Sequence, residues 1–335
     1  MGNSVRAGLI GTGMISQHAH IPAWSVLDGV DIVGIADPDK SARAGAQTCL
    51  RKHGHLDVSE FSDYEALVNT EDLDFVDITI PAGEAKESAI HTALENGLHV
   101  TCQKPFVTEY RTGQQLAEKA DAVDQILSVN QQARYAGAFT KAKSLISHGD
   151  LGTLRTVRIS SDLPFAGKER RVAFSVHNFD LLRYWAGREP VRVNAWHKRQ
   201  TSDDRYVFAT WIEFEDELMA QVWDELSSST TLRWQFRLGG SEGTVRGHEA
   251  YKPEMIPPEV VYTPAGKVSE TVTPITTSYV PDAFIGYFEQ FVAAVRENEP
   301  APTTAEDNLR SLRIAFAARQ SADQGDWISL EDFEP

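Results

Sequence analysis

The stretch Val5-Arg6-Ala7-Gly8-Leu9-Ile10-Gly11-Thr12-Gly13-Met14-Ile15-Ser16 decides the fold of the first part of this chain. Its apolar half predicts a short buried strand, the two glycines a tight turn, and the residues from Met14 onward a helix. The free N–H groups and the dipole at the start of such a helix bind phosphate groups. Gly11 permits the turn, and Gly13 lets the backbone approach the phosphates. We therefore expect a dinucleotide to bind at Gly11, Thr12, Gly13, Met14 and Ile15.

The next apolar run, residues 31–36, predicts a second strand that ends in Asp37, 24 positions after Gly13. A carboxylate at that place binds the adenosine ribose hydroxyls of a dinucleotide and repels the extra phosphate of NADP. The cofactor prediction is therefore NAD. Lys40 and Arg43 lie close by in the sequence, so NADP is not excluded. Two alternatives stay open. The glycines form an ordinary turn at the end of a strand, since Ser16 replaces the third glycine of the motif. Asp37 caps a turn before Pro38 and binds no ribose.

The composition is that of an ordinary globular protein. The 335 residues, 41% of them hydrophobic and 24% charged, are enough for two domains. A net charge of −16 disfavours a nucleic-acid or anionic-membrane partner, because both need basic surfaces. The two cysteines form no disulfide framework, and no Cys/His spacing indicates a metal site. The sequence has neither a long apolar run nor a secretory leader pattern, so we expect a cytoplasmic protein.

Residues 1–130 alternate short apolar runs with helical patterns, which predicts a Rossmann dinucleotide-binding domain with a parallel sheet. Further strands are expected at residues 75–80, 99–102 and 126–130. Ligands bind at the carboxyl ends of the strands in such a sheet. We therefore expect Pro81, Gln103 and Lys104 to line the cofactor cleft.

Residues 131–335 predict an α+β domain with a large, mostly antiparallel sheet. Residues 232–238 alternate apolar and polar side chains, and residues 206–223 predict a hairpin. Helices are expected at residues 138–147, 173–185 and 284–295, and from a capping box at residues 303–306 to about residue 322. Because these helices are too few to cover both faces of a large sheet, we expect a homodimer or homotetramer.

Together, Gly11-Thr12-Gly13, Asp37 and Gln103-Lys104-Pro105 resemble the Gfo/Idh/MocA family of oxidoreductases over nearly the whole chain. The Glu-Lys-Pro motif of the family stands here as Gln103-Lys104-Pro105. Its Asp-x-Gly-x-His-x-x-Asp helix motif reads Ala173 to Asp180, with His177 in place. Three positions depart from the family pattern: Gln103 removes a charge, Ala173 removes an aspartate, and Lys86 replaces a common histidine.

The resemblance implies NAD(P)-dependent hydride transfer with a hydroxyl or carbonyl group of a sugar, sugar derivative or cyclitol. It places Lys104 beside the nicotinamide and the reacting hydroxyl, and makes His177 the acid/base. A histidine suits proton transfer because its pKa lies near working pH; otherwise His177 is a core or interface residue. Lys104 stabilises the developing alkoxide, passes a proton if burial lowers its pKa, or is a solvated loop lysine.

Asp180 follows His177 by one helical turn. It orients His177, binds a substrate hydroxyl, or lies on the helix surface. Arg134 and Tyr135, after the sixth strand, are candidates for substrate binding. The basic residues Lys168, Arg170 and Arg171 form a solvated loop or bind an acidic group of the substrate. His18 and His20 are interpreted as structural.

Three functions from different classes fit these residues. The leading hypothesis is a dehydrogenase or reductase of a sugar or cyclitol. A second is a glycoside-cleaving enzyme that uses tightly bound NAD for transient oxidation. A third is a non-catalytic NAD or ligand sensor, which the alanine at position 173 favours and the retained Lys104 and His177 disfavour.

Overall fold

The computed structural model describes residues 4–163, 170–199, 206–226, 232–251, 253–254, 256–297 and 299–335, with the backbone alone for residues 170–174. The basic cluster predicted at Lys168, Arg170 and Arg171 therefore lies outside the described side chains, as does the side chain of Ala173. The chain forms two compact units. The first comprises Met1–Gln132 and Val280–Leu309, and the second comprises Ala133–Tyr279 and Arg310–Pro335.

The first unit contains a six-stranded parallel sheet in the order β3-β2-β1-β4-β5-β6. Its strands are β1 (Val5–Ile10), β2 (Val30–Ala36), β3 (Ser59–Phe61), β4 (Phe75–Ile78), β5 (His99–Gln103) and β6 (Leu127–Asn130). The central strands are almost continuously apolar because they are buried on both faces. This arrangement confirms the predicted Rossmann domain. β3 is not predicted from the sequence, since its three residues carry too short a pattern to indicate a strand.

The helices of the first unit follow these strands. A π-helical turn (Ser16–His20) leads into α1 (Ile21–Trp24), and the later helices are α2 (Lys40–Lys52), α3 (Tyr64–Thr70), α4 (Glu84–Glu95) and α5 (Tyr110–Ala122). Asp39 and Asp63 cap the starts of α2 and α3 by accepting backbone N–H groups.

Residues 280–309 were assigned to the second domain by the sequence analysis, whereas they pack in the first unit. The helix Asp282–Glu297 carries Phe288, which stacks on Trp24 with ring centroids 3.8 Å apart. Phe291 meets Phe75 of β4 edge-on at 5.2 Å. This helix therefore buries its aromatic face against the parallel sheet, a pairing that strand and helix periodicity alone does not specify.

The second unit contains a nine-stranded sheet in the order β14-β13-β12-β11-β7-β10-β9-β8-β15. Its strands are β7 (Leu154–Asp162), β8 (Arg192–Arg199), β9 (Tyr206–Glu213), β10 (Met219–Glu225), β11 (Arg233–Gly240), β12 (Gly243–Ala250), β13 (Glu259–Pro264), β14 (Thr271–Pro274) and β15 (Ile328–Ser329). Only the pair of β7 and β10 is parallel among the pairs described. The predicted α+β domain with a mostly antiparallel sheet is confirmed.

Helices cover one face of this sheet. They include α6 (Gly137–Ser147), which follows a 3₁₀ turn (Gln132–Tyr135), and α7 (Arg170–Ala186). The helix of the first unit that was described above is α8 (Asp282–Glu297), and the last described helix is α9 (Ala305–Gln324). Trp185 of α7 packs against Phe236 of β11 with centroids 5.2 Å apart, and Phe139 of α6 meets both. The core of the second unit lies between these helices and the sheet.

The other face of the sheet carries three exposed tryptophans. Trp196 and Trp223 both lie opposite Ala209, so they share one row across β8, β9 and β10, and Trp211 lies two residues along β9 on the same face. Their exposed fractions are 51% for Trp196, 42% for Trp211 and 40% for Trp223. In the described part of the chain, no helix is long and apolar enough to cross a membrane.

Candidate active site

The glycine turn after β1 leaves open space where a cofactor would approach. Gly11 has a φ of +88°, and a Cβ built there would lie 3.0 Å from the backbone nitrogen of Ile80. At Gly13, a Cβ would meet no atom within 4 Å, and the residue is exposed. Ser16, which replaces the third glycine, is buried. The turn therefore has the shape that a bound pyrophosphate requires, followed by the unpaired N–H groups of a helix start.

Asp37 lies beside this turn at the end of β2. Its Oδ2 accepts the backbone N–H of Thr12 at 2.7 Å, and its Oδ1 accepts the N–H of Asp39 at 2.9 Å. A carboxylate has about four lone-pair sites, so each oxygen can accept one more hydrogen bond. The residue is half-buried, which leaves one side of the carboxylate available to a ribose diol.

Arg43 is one of the two basic residues near Asp37 that could bind the extra phosphate of NADP. Its guanidinium is hydrogen-bonded to other groups of the protein. Its Nε donates to Glu60 Oε1 at 2.7 Å, and one terminal nitrogen donates to the carbonyl of Asp37 at 2.6 Å. A 2′-phosphate at this place would therefore meet the like charge of Asp37, and the charge of Arg43 is already balanced by Glu60. Lys40 is exposed at the start of α2.

The carboxyl end of β5 carries Gln103 and Lys104, and the Lys104–Pro105 peptide bond is cis. Gln103 is buried, and its Oε1 accepts the backbone N–H of Lys104 at 2.7 Å. Its Nε2 lies 3.2 Å from His20 Nε2. The Gln103 side chain therefore points into the protein and supports Lys104. Pro81, the third residue after β4, is exposed.

The pKa of Lys104 is strongly perturbed. Burial, followed by the positive charge of Lys86, lowers the pKa of Lys104 to about 7. A lysine in this range exchanges a proton near neutral pH, as a general acid or base must. Lys104 is also half-buried and directly follows a buried strand, which disfavours the alternative of a solvated loop lysine.

In the second unit, helix α7 is fixed to the sheet around His177. Asn178 donates to Ser161 Oγ and to Asp224 Oδ1, both at 2.7 Å, and Ser175 donates to the other oxygen of Asp224. All four side chains are buried. His177 itself is 3% exposed. The network on both sides of His177 holds this part of the helix rigidly against β7 and β10.

Asp180 is a buried ion-pair partner. Its two oxygens accept from Arg134 Nε and from a terminal Arg134 nitrogen, each at 2.7 Å, and Ser311 Oγ lies 3.2 Å from Oδ1. The alternative of a carboxylate on the helix surface is therefore wrong. The structure brings together two predicted residues, Asp180 and Arg134, that lie 46 positions apart.

Arg134 and Tyr135 stand at the 3₁₀ turn before α6. The Arg134 guanidinium lies over the ring of Tyr184, 5.2 Å from its centroid. Burial raises the pKa of Tyr135 well above its usual range, so this hydroxyl keeps its proton and can donate a hydrogen bond.

Several residues that support this site are not predicted from the sequence. Lys86 was noticed only as a departure from the family, and Asp77, Asp224 and Ser311 were not considered. One signal was available: Lys86 shares the buried face of α4 with Ala89, Ile90 and Ala93, at positions i+3, i+4 and i+7. A lysine in an apolar stripe of this kind indicates a buried ammonium group with a specific task.

Two protein-family models match the chain. The "Oxidoreductase family, NAD-binding Rossmann fold" covers residues 5–131, and the "Oxidoreductase family, C-terminal alpha/beta domain" covers residues 143–330. The fold and the nucleotide cradle define an oxidoreductase with an NAD-binding Rossmann domain. The chain belongs to the Gfo/Idh/MocA family.

Among characterised relatives, D-apiose dehydrogenase of Paraburkholderia graminis is 24% identical, covering 98% of this chain and 90% of the relative. The scyllo-inositol 2-dehydrogenase (NADP(+)) of Bacillus subtilis is 22% identical, covering 98% and 97%. Such relatives are dehydrogenases, and this chain is likewise an enzyme of the oxidoreductase class.

Solved structures share the fold over the whole chain. An oxidoreductase from Agrobacterium radiobacter, in complex with NAD⁺, L-tartaric acid and magnesium, superposes with a TM-score of 0.85 at 17% identity, covering 98% of this chain and 99% of the other. GenD2 from gentamicin A biosynthesis, in complex with NAD, gives a TM-score of 0.82 at 18% identity, covering 98% and 97%.

Proposed function

We propose that this protein is an NAD-dependent dehydrogenase or reductase that transfers a hydride between the nicotinamide and a hydroxyl or carbonyl carbon of a sugar, sugar derivative or cyclitol. The observation that carries the proposal is the place of Lys104, directly after β5 at the carboxyl end of the dinucleotide-binding sheet, where burial lowers its pKa to about 7. The names of the relatives, an apiose and a scyllo-inositol dehydrogenase, support this substrate class.

In this proposal the glycine turn and Asp37 hold the cofactor. Gly11 to Ile15 bind the pyrophosphate, Asp37 binds the adenosine ribose, and Pro81 borders the cleft. Gln103 contributes indirectly, because both ends of its amide are engaged inside the protein. When bound, the nicotinamide supplies the acceptor or donor of the hydride.

Lys104 and His177 serve the proton transfer. During oxidation, one of them accepts the hydroxyl proton, and the positive charge of a protonated Lys104 stabilises the developing alkoxide. Arg134 and Tyr135 donate hydrogen bonds to other hydroxyl groups of the substrate. Asp180 orients Arg134, and its negative charge balances that of the guanidinium, which favours a neutral polyol over an acidic substrate.

The decisive experiment is a spectrophotometric screen for NADH and NADPH over sugars, sugar acids and cyclitols, beginning with D-apiose, scyllo-inositol and myo-inositol. We expect net formation of NADH with one neutral polyol. Cleavage of a glycosidic bond without net reduction would favour the glycoside-cleaving enzyme. Ligand binding with no turnover of any substrate would favour the sensor.

We also propose a homodimer or homotetramer, joined through the sheet face that carries Trp196, Trp211 and Trp223. Three exposed tryptophans on one face form an apolar patch of the kind that a subunit interface covers. A cytoplasmic location remains a prediction from the sequence.

A further inference from the structure

Lys86 is a buried lysine that the proposed reaction does not use. Its side chain is fully buried in α4, and its Nζ donates to the carbonyl of Gln103 and, at 2.9 Å, to the carbonyl of Pro105. These two carbonyl groups flank Lys104 on either side. An ammonium group has three donors, so this one side chain fixes the backbone both before and after Lys104.

A second set of contacts fixes Lys104 from the other side. The Lys104 N–H donates to Gln103 Oε1 at 2.7 Å, which orients the amide so that Nε2 faces His20. An amide nitrogen only donates, so His20 Nε2 must be the acceptor and the ring proton must lie on Nδ1. That nitrogen lies 2.7 Å from Asp77 Oδ2.

The resulting chain runs from Asp77 through His20 and Gln103 to the backbone of Lys104, and each link in it joins a donor to an acceptor. Trp24 Nε1 also donates to Asp77 Oδ2, at 2.7 Å. A glutamate at position 103, as in the family motif, would place a carboxylate against the unprotonated Nε2 of His20. Gln103 is therefore matched to a neutral His20, and Lys86 is the charged group that acts on the pKa of Lys104.

We propose that Lys86 and Gln103 are positioning residues for Lys104, with Lys86 holding the two flanking carbonyl groups and setting the charge beside the Lys104 ammonium. The inference rests on the proposed function in that Lys104 takes part in the reaction. Burial lowers the pKa of Lys86, while Cys102, Asp77 and Glu87 act in the opposite direction and favour its charged form. Lys86 in turn lowers the pKa of Lys104.

The test is a titration of Lys104 in the protein without substrate or cofactor. Protein labelled with ¹³C at the lysine ε-carbon is followed by NMR against pH, and the Lys104 resonance is assigned by its loss in Lys104→Arg. The wild-type resonance should titrate near pH 7. Lys86→Met removes a positive neighbour and Gln103→Glu adds a negative one, so each should move the titration to higher pH.

Lys52→Met is the matched control, because Lys52 is an exposed lysine of the same unit. It should leave the Lys104 titration unchanged, and Lys86→Met should bind NAD within about threefold of wild type, since the glycine turn is untouched. An unchanged titration in Lys86→Met, or an equal shift in Lys52→Met, overturns the inference. If Lys86→Met does not fold, Lys86→Gln replaces it, because it removes the charge and keeps a donor for the two carbonyl groups: a titration at higher pH supports the inference and an unchanged titration overturns it.

The two proposals fail separately. A shifted titration in a protein that turns over no sugar or cyclitol overturns the proposed function and leaves the positioning role standing. An unshifted titration in an active dehydrogenase overturns the positioning role alone.

Discussion

The carboxylate of Asp180 binds the guanidinium of Arg134 through two hydrogen bonds of 2.7 Å, and the two side chains are 0% and 16% exposed. A bidentate arginine–carboxylate pair is rigid and directional. The pair therefore presents the 3₁₀ turn that carries Arg134 and Tyr135 in one orientation. Breaking it removes this carboxylate from a mostly buried guanidinium.

Asp180→Ala should lower the free energy of unfolding by about 3–5 kcal/mol, because the mostly buried Arg134 guanidinium then loses the carboxylate that accepts two of its hydrogen bonds. Urea unfolding measures this value. Asp216→Ala is the control, since Asp216 is two-thirds exposed in its pair with Arg188 and should cost less than about 1 kcal/mol. Equal losses in the two variants would contradict a buried pair.

The protein should bind NAD more tightly than NADP, because Asp37 meets the 2′-phosphate with like charge and Arg43 is already paired with Glu60. Asp37→Ala should weaken NAD binding by about tenfold and reduce the preference for NAD over NADP. Fluorescence titration with each cofactor provides the measurement. Tighter binding of NADP by the wild-type protein would mean that Asp37 does not bind the ribose.

His177→Ala and Lys104→Ala should each lower turnover of the true substrate by roughly 10²–10⁴-fold, the usual contribution of a positioned acid/base or of a fixed charge. Both variants should still bind NAD, since the glycine turn and Asp37 are unchanged. His148→Ala is the control, as His148 is exposed at the end of α6. Near-normal turnover by His177→Ala would shift the proton transfer to Lys104.

Glu249 should make the stability of the protein depend on pH. It is buried, and its oxygens accept the N–H groups of Ala138 at 3.1 Å and Ala250 at 3.0 Å. Burial raises the pKa of Glu249 to about 7, above the ordinary value of 4.5. The folded state therefore favours the protonated form, and the stability that this contributes is full below pH 4.5 and is lost as the pH rises through 7.

Glu249→Gln removes this titration. Relative to wild type, the variant should gain up to roughly 3 kcal/mol of unfolding free energy between pH 5 and pH 8, measured by urea unfolding. The exposed Glu242, changed to glutamine, should show no such pH dependence. A difference between Glu249→Gln and wild type that is the same at both pH values would show that Glu249 is ionised in the folded state throughout.

Light scattering should give the mass of a dimer or tetramer at micromolar concentration. Trp211→Glu places a charge in the middle of the exposed tryptophan face and should shift the protein toward the monomer. Leu56→Glu, an exposed apolar residue of the first unit, should leave the mass unchanged. A monomer mass for the wild-type protein would show that this face is not a subunit interface.

The sequence by itself determined the local pattern of this protein. The alternation of apolar runs and glycine turns predicted most strands and helices of the first unit and the hairpin and β11 of the second, and the strand–turn–helix with Asp37 predicted the nucleotide cradle. The strands β3, β8 and β12 to β15 were not predicted. The position of Lys104 beside the ligand cleft could also be predicted, because Lys104 directly follows a parallel strand and ligands bind at the carboxyl ends of such strands. These features depend on neighbours within about one helical turn or one strand, where periodicity is a direct consequence of backbone geometry.

The tertiary structure alone decided which distant side chains meet. Asp180 could not be paired with Arg134, nor Lys86 with the carbonyls flanking Lys104, from spacing along the chain. Residues 280–309 joined the first unit for the same reason, since an amphipathic helix shows that it has an apolar face but not which surface covers it. Contacts between residues far apart in sequence depend on the packing of the whole core, and in this protein those contacts set the charge and orientation of the residues proposed to carry the chemistry.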